Sequence, residues 1–188
     1  MDDNDFWSFS NQIYRKNHIS EVCLYLQDIH KLNINLILFC CWFGKNFGVL
    51  DKNLFNKIIK RSSSWDVVVV APLRKLRIDL KYSNKANLNW SAEIPLLREK
   101  IKTIELEAEK LNQLYLQKEA LKLKKNKIST KQLDCVIKNL FLYLSNKKIC
   151  FSKSNTNLFN NTMLILIAIF PNHNQEEIAN KLDNLKDK

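Results

Sequence analysis

The sequence predicts an all-α protein, a bundle of about seven to nine helices with one long helix over about residues 95–124. Three observations carry that reading. Glycine occurs only at Gly44 and Gly48 and proline only at Pro72, Pro95 and Pro171, whereas hairpins and nucleotide-binding loops draw on glycine for positive backbone angles. Apolar residues recur at helical spacing along most of the chain. Capping residues stand where those periodic runs begin.

Asp5 is the expected N-cap of a first helix to about Tyr14, with Phe6, Phe9 and Ile13 on one side and Trp7 and Tyr14 on another. A second helix, about 19–30, groups Val22, Cys23, Leu26 and Ile29 on a core face. The third, about 34–45, is apolar nearly all round, as a central buried helix is, and Gly44 and Gly48 are expected to end it and turn the chain. Asp51 caps a short helix through Leu54, Phe55, Ile58 and Ile59 that gives out in the polar run 61–64.

Residues 65–82 contain four consecutive valines, 67–70, which favour a strand by propensity. Yet Trp65, Val69, Pro72, Leu73, Leu76 and Leu80 repeat at helical spacing, so a helix bent near Pro72 is expected. Residues 84–91 read as a polar loop, and Pro95 falls in the first turn of the long helix. There Leu97, Ile101, Ile104, Ala108, Leu111 and Tyr115 alternate spacings of four and three, a heptad seam that Lys118 and Lys122 interrupt. The seam serves packing within the fold or a homodimer through 97–115. Ser129 with Gln132 makes a capping box for a helix faced by Leu133, Val136, Ile137, Leu140 and Leu144. Residues 163–170 form a buried helix or strand that Pro171 ends, and Asn174 with Glu177 caps a last helix.

With 188 residues, the expectation is one helical domain: a core over 1–120 and a lysine-rich helical part over 121–188. The acidic start MDDNDFW lacks the basic and apolar regions of a secretory signal. The longest apolar runs, 36–43 and 163–170, are eight residues each, against about 20 for a membrane span. Five cysteines, Cys23, Cys40, Cys41, Cys135 and Cys150, form no CxxC pair and sit among apolar neighbours, as reduced buried thiols do. A cytoplasmic protein is expected. The net charge of +11 is concentrated late, because residues 121–188 carry 12 Lys/Arg against 5 Asp/Glu. A basic patch including Lys122, Lys124, Lys125 and Lys127 is the candidate contact for an anionic partner, nucleic acid among them. Against that stands the scarcity of arginine, 5 against 25 lysines, since arginine is the residue suited to bidentate phosphate recognition.

No motif in the chain has the spacing of a known cofactor or catalytic site, and no cofactor is expected. His18 and His30, with Cys23, Asp28, Cys40 and Cys41, lack the close ligand pairs of structural zinc. Adjacent helical cysteines also point about 100° apart, from 3.6 residues per turn. No metal site is assigned. The apolar setting of Cys40 and Cys41 speaks against a thiol nucleophile served by His30. Two polar features remain. Gln27, Asp28, His30, Asn33 and Asn35 lie between two apolar helices, where they form either a cap and turn network or a small polar pocket. Arg74, Lys75, Arg77 and Lys81 accompany Leu73, Leu76 and Leu80, and read either as a solvated face or as a contact for phosphate or an acidic surface.

The blocks FWSFSNQIY, VCLYLQDIH, INLILFCCWFG, WDVVVVAPLRKLRIDLK and IELEAEKLNQ, in this order and spacing, resemble the proteobacterial family called domain of unknown function 2390. The resemblance covers about residues 5–120. It implies a small cytoplasmic bacterial helical protein and supplies no catalytic residues to carry over. The leading expectation is a non-catalytic module with a protein partner. Its alternatives are a basic RNA- or ribosome-associated helical protein, and an enzyme or small-ligand binder using the cluster 27–35.

Overall fold

In the computed structural model, which describes residues 5–82, 93–122, 131–149 and 155–184, the chain runs through α1 (Phe6–Tyr14), α2 (Ile19–His30), α3 (Ile34–Asn46), α4 (Lys52–Trp65), a π turn (Asp66–Val70), α5 (Ala71–Tyr82), α6 (Glu93–Leu121), α7 (Gln132–Asn146), α8 (Thr156–Ile169) and α9 (Gln175–Asp183). No strand occurs among the described residues. The fold is all-α, with α6 as its long helix.

α3 is the axis of the core, buried continuously from Leu36 to Gly44. It lies against α7 along most of its length and also touches α1, α2 and α6. The second helix α2 packs on α8, and α9 closes on α7 and α8. One cluster of buried side chains, from Phe6 to Leu182, joins these helices. The aromatic and cysteine-rich opening of the chain is this core. Phe6, Phe39, Trp42, Phe43 and Phe47 stack with neighbouring ring centroids 5.1–6.0 Å apart.

Local chemistry sets the helix starts. The side chains of Asp5, Asn33, Asp51 and Asn174 accept from the amides of Ser8, Leu36, Leu54 and Glu176 at 2.8–3.2 Å, satisfying donors that a helix N-terminus leaves open. Lys131, not Ser129, is the N-cap of α7; Ser129 itself lies outside the described residues, as does the loop expected over 84–91.

Four other sequence expectations are corrected. Gly44 does not end α3 but sits within it, where a Cβ would meet the Cα of Val136 at 2.6 Å. Only Gly48, at φ +97°, makes the turn. Ile29 is 60% exposed and leaves the core face of α2 to Ile19, Val22, Cys23 and Leu26. The helix from Asp51 does not give out at 61–64; it continues through the π turn into α5. Pro72 has no amide to donate and its ring crowds the carbonyl four residues back, and the irregular stretch falls just before it. The long helix, finally, is rotated from the expected seam. Ile101 and Ala108 are buried, but Leu97, Ile104 and Leu111 are 49%, 50% and 57% exposed. Glu105, Asn112 and Gln113 occupy the buried arc instead, because each has a partner on another helix. The ambiguous residues 67–70 and 163–169 are helical.

Candidate functional site

α5 has no fully buried side chain, so apolar packing alone does not account for its place on α6. Two arginines one turn apart on α5 meet two glutamates one turn apart on α6. Arg74 Nε donates to Glu105 Oε1 at 2.9 Å and its Nη2 to Glu109 Oε1 at 2.7 Å. Arg77 donates from Nε to Glu105 Oε2 at 2.5 Å and from Nη2 to Oε1 at 3.3 Å. Glu105 is 6% exposed, a depth at which a carboxylate needs such pairing. Burial pushes the Glu109 carboxyl above its ordinary range; Arg74 opposes that rise and Glu105 adds to it.

These side chains form one wall of a cleft of about 400 Å³ between α6, α5 and the α1–α3 face, with Trp7, Tyr14, Leu24, Leu38 and Leu106 as apolar lining. Its floor is Gln113, only 3% exposed. Gln113 Nε2 donates to Asn35 Oδ1 at 2.6 Å, while its Oε1 is buried with no hydrogen-bond partner. Glu109 stands one helical turn before it on the same face. At the mouth is Tyr14, whose phenol is raised by burial first and then by Cys23 and Glu109. Arg15 and Lys102 also border the cleft and are exposed.

The residues of the polar cluster take different places, although Gln27 and Asn33 both also line a second, smaller cavity of about 290 Å³. Gln27 and Asn35 line the cleft. Asn33 caps α3, and its amide donates to the Tyr143 hydroxyl at 2.8 Å. Asp28 is exposed beside Gln27. His30 is half-buried with its ring edge on Tyr25, and its Nε2 has no partner; neither Asp28 nor His30 lines the cleft. Of the basic set, Arg74 and Arg77 find their acidic surface within the chain, on α6, whereas Lys75 and Lys81 stay exposed. Lys122 pairs with Glu119, and Lys124, Lys125 and Lys127 lie outside the described residues.

Cys23, Cys40, Cys41 and Cys135 are free and buried. Burial pushes the Cys23 thiol up to about 12 and raises Cys40 and Cys41 as well, which keeps them protonated and unreactive. Among the described residues no three His, Cys, Asp or Glu side chains gather as a metal-holding group. Glu105, Glu109 and Gln113 were not singled out from the sequence. Their only signal there is polarity on a helix whose neighbouring positions are apolar.

On the other face of α6, between it, α4 and the π turn, lies an apolar groove of about 470 Å³, walled by Trp65, Val68, Val69, Leu111 and Tyr115. The Trp65 indole fixes its base by donating to the Ala108 carbonyl at 2.9 Å.

The chain is thus a helical protein with a charged cleft on one side of its long helix and an apolar groove on the other. Residues 5–116 match the family model described as Protein of unknown function (DUF2390), and the chain belongs to that family. No curated protein and no solved structure matches it. The cleft lining, from Trp7 to Gln113, falls wholly within the matched segment, while α7, the main packing partner of α3, falls outside it. Among the described residues no helix is long and apolar enough to cross a membrane.

Proposed function

We propose that the protein is a non-catalytic protein-interaction module that docks through the outer edge of the α5–α6 pair, and that the occupant of this edge is a second copy of the chain. The observation that carries the reading is the half-exposed stripe Leu97, Ile104 and Leu111, which recurs every seven residues over about 21 Å of helix. A stripe of that period is suited to pairing with another helix. Antiparallel pairing about Ile104 sets Leu97 against Leu111 of the other copy and Ile104 against itself. The flanking charges suit the same arrangement, since exposed Lys100, four residues before the axis, comes within one position of exposed Glu107, three residues after it, on the other copy, and the twofold axis makes that pair twice. Val68, exposed in the same groove as Leu111, extends the apolar surface.

Light scattering coupled to size exclusion tests this directly. The wild type is expected to run as a dimer at micromolar concentration and Ile104→Glu as a folded monomer, because the substitution sets two carboxylates together at the axis. Lys100→Glu and Glu107→Lys should each weaken the dimer, and the double swap should restore it. A wild type that stays monomeric to about 1 mM, a Kd worth only about 4 kcal/mol, overturns the reading.

A further inference from the structure

We infer that the cleft between α1, α3 and α6 binds a small zwitterion of the amino-carboxylate class, with its ammonium between Gln113 and Glu109 and its carboxylate toward Lys102 and Arg15. The floor supplies the first half. A buried amide oxygen without a partner is costly, and Gln113 Oε1 is one. Its neighbour one turn earlier, Glu109, accepts from Arg74 through Oε1 alone. Two acceptors on one face need a donor between them, and an ammonium carries three.

Charge supplies the second half. Arg74 and Arg77 are already matched by Glu105 and Glu109, so the floor is close to neutral. Arg15 and Lys102 border the rim; Lys102 also meets Glu99 in a long, exposed pair at 3.4 Å, so the two cations against one carboxylate leave the rim positive, which disfavours a simple amine. A molecule with an acid at its other end meets both conditions. Lys102 begins about 10 Å along α6 from Glu109, at 1.5 Å per residue, and its long side chain shortens the gap, which suits a ligand whose charged groups are several bonds apart. Trp7, Leu24, Leu38 and Leu106 provide an apolar lining for the intervening carbons. A cleft of about 400 Å³ is within the range that small ligands occupy.

The test uses the full chain labelled with nitrogen-15 and three probes of equal length: ε-aminocaproate, hexylamine and caproate. Titration should move the side-chain amide signal of Gln113 with ε-aminocaproate at a Kd of about 1 mM, and at least about tenfold more weakly with either single-ended probe, a difference of about 1.4 kcal/mol. Gln113→Leu should abolish the backbone shifts around the cleft. Lys102→Gln, at an exposed position that leaves the core untouched, should weaken ε-aminocaproate to the level of hexylamine. Caproate or hexylamine binding as tightly as the zwitterion, or no response to any probe, overturns the assignment.

Discussion

Gly44 and Val136 bring the two central helices into backbone contact: a Cβ at Gly44 would lie 2.6 Å from the Val136 Cα and 2.7 Å from its amide nitrogen. Backbone cannot rotate aside as a side-chain tip does, so any larger residue must push α3 and α7 apart. Gly44→Ala gains helix propensity of at most about 1 kcal/mol, and overpacking in a close-packed core costs about 1–3 kcal/mol. The net expectation is a destabilised protein with unchanged helix content, read as a lower urea midpoint by circular dichroism. A midpoint at or above that of the wild type would show that the helices separate freely.

Glu105 is the pivot on which α5 is held. It accepts from both Arg74 and Arg77, so Glu105→Gln leaves two partly buried guanidinium groups short of their counter-charge. Breaking a buried pair from one side costs about 3–5 kcal/mol. These arginines keep some solvent access, which places the expectation near about 3 kcal/mol. Hydrogen exchange should show the loss first in α5 and only weakly in α3. Replacing Glu105 and Glu109 together with both arginines by apolar residues should recover most of the stability, because Glu109 also relies on Arg74.

The parts of the fold legible in the sequence are those fixed by local chemistry. The caps at Asp5, Asp51 and Asn174 have a short polar side chain before a periodic run, and each is found capping its helix. Helix α3 was legible because its residues are apolar in every direction. The face of α6 was not, since counting apolar positions assigns Glu105, Asn112 and Gln113 to solvent. They are buried because Arg77, Ser62 and Asn35, far away in sequence, meet them. The cleft is hidden for the same reason: Arg74 and Gln27 are far apart in sequence, and only the packing of α5 on α6 and of α2 on α1 and α3 places both on its lining. A glycine marking a close approach looks the same in sequence as one ending a helix, so nothing in the sequence signals that Gly44 packs on the Val136 backbone.

A chain with two glycines must end its helices with other residues. Lys31 and Lys148, after α2 and α7, take φ +54° and +56°, the left-handed region that glycine enters without a Cβ penalty. Lys31 is exposed, and its conformation costs about 1 kcal/mol relative to glycine. Lys31→Gly is therefore expected to raise stability by about 0.5–1 kcal/mol, seen as a higher melting temperature. A lower one would mean that the lysine stem contributes more by packing than its backbone costs.

Burial gives Glu109 a distinctive pH signature. Its carboxyl is raised above the ordinary 4.5 by desolvation, against the pull of Arg74 and with the push of Glu105 and Asp66; Tyr14 also borders it. Between 4.5 and the raised value the folded protein holds a proton that the unfolded chain has released, so stability contributed by this group falls as pH rises through that window and levels off above it. Asp66 is raised by burial in the same direction, so the wild type alone would not separate the two. Glu109→Gln keeps an oxygen to accept from Arg74 and removes the titration. Urea midpoints measured for both proteins across acidic to neutral pH should show the wild type losing ground to the variant as pH rises. A wild type that gains on the variant instead would mean that Arg74 outweighs desolvation and that the carboxyl is held below its ordinary range.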